Sequence, residues 1–230
     1  MSGPLAVMWS GGKDSALAAW RARMSGRELR WAVTAYDEAT DRVRFHATRI
    51  DRVHAQVMAA GLEHLAVPTS PATFDDRVRA ALSGLAARGC AGVVLGDIHL
   101  ADVRTWYEER TTAAGLEHLE PLWGERPAAL LQAAVREGFR AVITCVDRER
   151  LDPSWLGRVI DDVSASQLVA LGIDACGENG EYHSYAFAGP VFRRPVPWAL
   201  GERRSSGRFE QVDVLARLED RIPPAVLPRA

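Results

Sequence analysis

Six consecutive residues, Ser10-Gly11-Gly12-Lys13-Asp14-Ser15, gather the groups that bind an anion. The glycines let backbone N–H groups approach a phosphate closely, while Ser10, Lys13 and Ser15 add donors. A helix starting here would aim its positive pole at the same point. Of the 28 basic residues only Lys13 is a lysine. That bias accords with a GC-rich genome that exchanges Lys for Arg, and the surviving lysine marks a place where a compact ammonium fits and a planar guanidinium does not. The spacing differs from a Walker A loop, whose glycines stand further apart.

Two further groupings carry chemistry. Gly96-Asp97 follows the apolar run Val93 to Leu95 and precedes Asp102, Arg104 and Glu108. Ligands of open parallel sheets bind beyond the carboxyl ends of the strands, which would put Asp97 beside the first loop, ready to orient a cation or a substrate amine. Arg104 and Glu108 stand four apart on an expected helix, a spacing that also suits an ordinary surface ion pair. The third grouping, Cys176-Gly177-Glu178-Asn179-Gly180-Glu181-Tyr182-His183, packs carboxylates, an amide, an imidazole and a thiol into eight residues. Such an array can orient an amine or relay a proton. Asn179-Gly180 would equally make a hairpin turn with solvated acids, and one Cys with one His lacks the paired spacing of a zinc site.

The elements that must hold these groups alternate between strand and helix. Expected strands are Leu5 to Trp9, Leu29 to Tyr36, Glu63 to Val67 closed by Pro68, Gly92 to Leu95 and Glu117 to Glu120. Expected helices are Asp14 to Met24, Ile50 to Ala60 ending at Gly61, Thr73 to Arg88 with Thr73 and Asp75 as caps, and Leu100 to Ala114. This is an α/β pattern with a parallel sheet. After Pro121-Leu122-Trp123 the rhythm changes: a helix from Pro127 to Glu137, a strand from Arg140 to Val146, then alternation around Glu181 to Phe187 and Phe209 to Leu215. The expected division is therefore 1–123 and 124–230, with a loose tail from Pro223 to Ala230.

Composition sets the outer limits. At 230 residues and 47% hydrophobic, the chain can bury a substantial core. A net charge of -2 offers no general attraction to nucleic acid or to anionic lipid, and no apolar run is long enough to span a bilayer, so a cytoplasmic protein is expected. Cys90, Cys145 and Cys176 form no CxxC pair and are expected as free thiols. A homodimer is compatible with all of this.

The first loop resembles the PP-loop of the ATP pyrophosphatase superfamily, S-G-G-x-D-S. The resemblance implies a Rossmann-like, adenine nucleotide α-hydrolase-like sheet with a smaller mixed α+β C-terminal domain. It also implies ATP cleaved to AMP and pyrophosphate, and Mg2+ carried by the nucleotide with Asp14 as the nearest group to orient it. Adenine would be met near the end of the second strand, around Ala35 and Tyr36, with His46 nearby. Together with Gly96-Asp97-Ile98, Pro121-Leu122-Trp123 and Gly177 to His183, the loop looks like the diphthine–ammonia ligase family, from about residue 5 to about residue 192.

Carried over by position, Ser10 to Ser15 match the ATP-phosphate loop, Gly96 and Asp97 the strand-end motif, and Arg104 and Glu108 charged positions of the following helix. Glu178, Asn179, Gly180 and Glu181 match the segment that activates ammonia, and Tyr182 and His183 join the substrate side. The implied catalytic set is Lys13, Asp14, Asp97, Glu178 and Glu181, acting in amide formation between ammonia and a carboxylate. Asn179 stands where the family usually has glycine, His183-Ser184 where archaeal and eukaryotic members commonly have Glu-Thr, and Trp106 where a basic residue is frequent. These departures resemble a bacterial branch, for which the acceptor acid would not be elongation factor 2. A PP-loop sulfur transferase using Cys145 and Cys176, and a non-catalytic nucleotide sensor, are the competing readings.

Overall fold

A computed structural model describes residues 3–44, 46 and 48–217. The expected tail from Pro223 lies outside the described residues. The first half alternates β1 (Leu5–Met8), α1 (Lys13–Met24), β2 (Leu29–Asp37), β3 (Arg42–Val43), α2 (Ile50–Ala60), β4 (Glu63–Thr69), α3 (Phe74–Ala87), β5 (Gly92–Val94), α4 (Ala101–Ala113) and β6 (Glu117–Leu119). Its parallel strands run β4-β2-β1-β5-β6, and short β3 adds antiparallel to the far end of β2. Leu5, Ala6 and Val7 of β1 are fully buried, as befits a central parallel strand covered on both faces.

Two local expectations are corrected. Pro68 does not close β4 but sits within it, opposite Tyr36. Since β4 pairs only with β2, it is an edge strand, where a missing N–H costs no ladder bond. Thr73 makes no side-chain cap on α3. Its hydroxyl instead accepts from the backbone N–H of Ser70, while Asp75 pairs with Arg79 and Arg110.

The second half comprises α5 (Pro127–Arg136), β7 (Arg140–Asp147), a 3-10 turn at Pro153–Trp155, β8 (Val159–Ile160), α6 (Asp162–Ala170), β9 (Tyr182–Ala188), β10 (Ala199–Ser206) and β11 (Phe209–Leu215). Its sheet is antiparallel: β9 lies on one side of β7, β8 and β11 on the other, and β10 pairs with β11. The sequence pattern marks neither α6, which starts with a reciprocal capping box between Asp161 and Ser164, nor β10, whose Arg203 to Ser206 are exposed. One hydrophobic cluster continues from β1 and α1 through Leu122 to β7 and β9. Arg42 also spans the two sheets, with paired hydrogen bonds of 2.6 and 3.0 Å to Asp213 on β11.

Candidate functional site

The loop between β1 and α1 is held from three sides. Gly11 adopts φ +86, which favours glycine, and a Cβ there would lie 2.8 Å from Oε1 of Gln56. Fully buried Gln56 accepts from the Trp9 indole at 3.1 Å and donates to the carbonyls of Gly11 and Ala186 at 2.9 and 2.6 Å. The N–H of Ala186 returns a 2.9 Å bond to the Gly11 carbonyl, and the Lys13 N–H donates to the Ser184 hydroxyl at 3.3 Å. Strand β9 thereby fixes a loop more than 170 residues earlier in the chain.

Lys13 is buried, its ammonium 2.9 Å from the Asp14 carboxylate, hydrogen-bonded to the Cys176 carbonyl and 4.9 Å from the centre of the Tyr182 ring. Burial opposes its charge, but the Asp14 carboxylate beside it prevails and holds the ammonium protonated, above the usual lysine range. Asp14 itself is pushed up by burial, against the pull of Lys13.

The strand-end motif packs directly on this loop: a Cβ at Gly96 would lie 2.9 Å from backbone atoms of Asp14 and Ser15. That contact brings Asp97 to the same cavity. Burial, followed by the nearby carboxylates of Glu178, Glu120 and Asp14, pushes Asp97 up to about 7. Glu178 arrives on a turn closed by a 3.0 Å bond from the Gly180 N–H to the Gly177 carbonyl, and its Oε1 accepts from the Ile98 N–H at 2.9 Å. Burial raises its pKa as well. Asp174 organises this segment, accepting from the Cys176 N–H at 2.8 Å, and the Tyr182 hydroxyl donates to the Ala175 carbonyl at 2.7 Å. Asn179-Gly180 thus belongs to a tied turn, not to a hairpin with free acids.

These elements enclose a cavity of about 910 Å3. Ser10, Lys13, Asp14, Ser15, Ala35, Gly96, Asp97, Glu178, Asn179, Gly180, Tyr182 and His183 line it; Gly11 and Gly12 stand behind, against Gln56 and His46. Besides these two glycines, four expected site residues lie off its wall. Tyr36 follows Ala35 on a strand, so it points to the other face. On α4, Val103, Trp106 and Tyr107 face the cavity, so Arg104 and Glu108 are turned aside. Arg104 pairs with buried Glu120 at 3.2 Å and stacks 4.4 Å over Trp123, instead of meeting Glu108. Glu181 is buried away from the cavity, 3.5 Å from Arg150 and accepting from the Asp174 N–H at 3.4 Å.

Other lining residues escape motif reading. Phe74 and Trp106 form an aromatic wall with ring centres 5.5 Å apart, and Arg208 and Phe209 reach the cavity from the β10–β11 turn. His46 and His183 face each other at 4.6 Å between ring centres. Burial holds His46 well below the ordinary imidazole range and His183 down to about 4, with the Lys13 charge acting in the same direction on both. A Cβ on Gly12 would approach the His46 ring at 3.1 Å, a contact that sequence distance hides.

Among the described residues no three His, Cys, Asp or Glu side chains converge to hold an ion. Magnesium, however, commonly takes one or two carboxylates and completes its shell with phosphate oxygens and water, and Asp14 faces the cavity beside the loop.

Residues 3–118 match the family model of the diphthamide synthase N-terminal domain, and residues 126–207 that of the diphthamide synthase C-terminal domain. A curated relative, diphthine--ammonia ligase of Bos taurus, is 28% identical over 143 residues, which covers 58% of this chain and 54% of that protein. The match therefore spans about half the length of the relative.

Proposed function

The chain belongs to the diphthamide synthase family, and from that membership we propose an ATP-dependent ligase that adenylates a carboxylate, releases pyrophosphate and transfers ammonia to the acyl group with loss of AMP. The observation that carries this reading is the meeting, in one cavity, of an anion loop with its buried lysine and a pair of desolvated carboxylates, Asp97 and Glu178. A nucleotide sensor would need only the loop.

In this reading residues 1–123 bind ATP, and residues 124–230 supply much of the acceptor and ammonia side. The backbone of Ser10 to Ser15 and the ammonium of Lys13 bind the phosphates, and Lys13 stabilises charge as pyrophosphate leaves. Ala35 contributes to the adenine side. Magnesium brought by ATP would be held by Asp14, where it neutralises phosphate charge. Asp97 and Glu178 attract ammonium and orient the amine. As ammonia's nitrogen attacks the acyl carbon and AMP departs, the surplus proton passes to a carboxylate. Asp97, titrating about 7, is matched to that task at neutral pH.

Asn179, Gly180, Tyr182 and His183 border the acceptor, while Glu181 and Arg104 act as positioning residues for the turn and for α4. The partners are ATP, ammonia and a carboxylic acid, either small or on a protein side chain. A bacterial-branch acceptor and a cytoplasmic location complete the proposal; no helix among the described residues is long and apolar enough to cross a membrane.

An oxygen-isotope experiment tests it. Pools of carboxylic acids labelled with heavy oxygen are incubated with protein, ATP, magnesium and ammonium. Adenylation carries one carboxylate oxygen into AMP, so labelled AMP together with an amide product supports the reading. AMP formed without label from a turned-over acid would sink it.

A further inference from the structure

The cations that line the cavity beside the loop are already engaged, Arg44 lying 5.4 Å from the centre of the Phe74 ring. Lys13 is already paired with Asp14, and Arg208 with buried Asp147 at 3.2 Å and Glu149 at 3.7 Å. Beside them stand two imidazoles, His46 and His183, with ring centres 4.6 Å apart. His46 leans over Gly12, and its Nδ1 is buried without a hydrogen-bond partner among the described residues. Such an atom is costly to leave unmatched and signals a missing ligand or proton. His183 lies against it from β9, and the neighbouring Ser184 hydroxyl receives the Lys13 N–H at the start of α1. The pair thus forms the wall of the cavity directly over the loop.

We propose that the His46–His183 pair takes up one proton when a polyphosphate settles on the loop, adding a cation to the site. This rests on the loop binding ATP phosphate, as argued above. The proton comes from solvent and forms an N–H bond on one ring; no other bond is made or broken, and the proton is released when pyrophosphate leaves. One proton is shared because two imidazolium ions 4.6 Å apart would repel.

The surroundings give the direction. Without ligand, burial and the Lys13 charge keep both rings neutral. The other charged or titratable groups that line the same cavity are Asp14, Arg44, Asp97, Asp102, Tyr107, Cys176, Glu178, Tyr182 and Arg208, and the Cys145 thiol is in register with His183 on β7. A polyphosphate outweighs Lys13 and reverses the local sign. Neutral rings add no cationic charge to the cavity, and the imidazolium forms only with the anion present.

The test is calorimetry of the magnesium complex of α,β-methylene ATP, which cannot react, in buffers of different ionisation enthalpy near pH 7.5. The expected result is uptake of about one proton per nucleotide by the wild type, with affinity weakening up to about tenfold per pH unit above neutrality. His46→Asn and His183→Asn should each lose most of that uptake and flatten the pH dependence. Nitrogen-15 spectra of labelled histidine in the wild type give the same answer without substitution: one imidazole of the pair should move from neutral to imidazolium values, or both about half-way, when nucleotide binds. Nucleotide binding with no excess proton uptake, or with uptake unchanged in both variants, overturns the proposal alone. Failure of the wild type to bind nucleotide overturns the phosphate-loop reading and this proposal with it.

Discussion

Asp97→Asn converts the electrostatic account of the cavity into a stability measurement. Asp97 titrates about 7 in the folded chain against 3.8 for a free aspartate. Between those values the folded protein retains a proton that the unfolded chain has lost, so this group's contribution to stability is fully present below pH 3.8 and is lost as pH rises through 7. Asparagine mimics the protonated form at every pH. About three pH units at about 1.4 kcal/mol each give a ceiling of about 4 kcal/mol, so the variant should gain up to that amount at pH 8 and less than about 2 kcal/mol at pH 5. Urea unfolding of both proteins at the two pH values reads the difference directly. A variant no more stable than wild type at pH 8, or a gain independent of pH, would refute the claim that Asp97 is held in a desolvated, like-charged site. The same variant should lose ligase activity, which ties the instability to the chemistry.

Three further outcomes follow from the packing around the loop. Gln56→Met removes the bonds to Trp9, Gly11 and Ala186 and should cost about 2–4 kcal/mol while weakening nucleotide binding; unfolding and equilibrium binding check both. Gly96→Ala forces a Cβ against the backbone of Asp14 and Ser15, so about 1–3 kcal/mol of destabilisation and a displaced phosphate loop are expected, read by thermal melting and nucleotide affinity. All three cysteines are buried, with burial raising Cys145 to about 11 and Cys176 further; native protein at pH 8 should resist a thiol reagent, and Cys145→Ser and Cys176→Ser should retain activity, whereas a sulfur carrier would require at least one of them.

The parallel half of the fold was legible because its signals are local. The range of α2 follows from its apolar periodicity and from Gly61, which adopts φ +69 just after it. Phe209–Leu215 follows from simple alternation. Elements without such signals escaped: β3 and β8 are two residues each, and α6 lacks a clear apolar stripe. The same division runs through the site. Gly96-Asp97 stands at a strand end and reaches the cavity as topology requires, and Glu178 reaches it on its turn. The partners that hold the site are distant in sequence and ordinary in type: Gln56 has no motif, and Ser184 meets Lys13 only because β9 crosses the loop. Spacing also misleads within one helix, since Arg104 finds Glu120 and leaves Glu108 aside.

Cleavage of ATP between the α- and β-phosphates is the step on which the account depends, and α-labelled ATP tests it. Protein, magnesium, ammonium and pools of carboxylic acids are incubated with the labelled nucleotide, and the products are separated alongside those of Lys13→Ala. The account predicts labelled AMP, with matching pyrophosphate, that depends on the acid pool and disappears in the variant. Labelled ADP, or AMP formation undiminished by loss of Lys13, would contradict it.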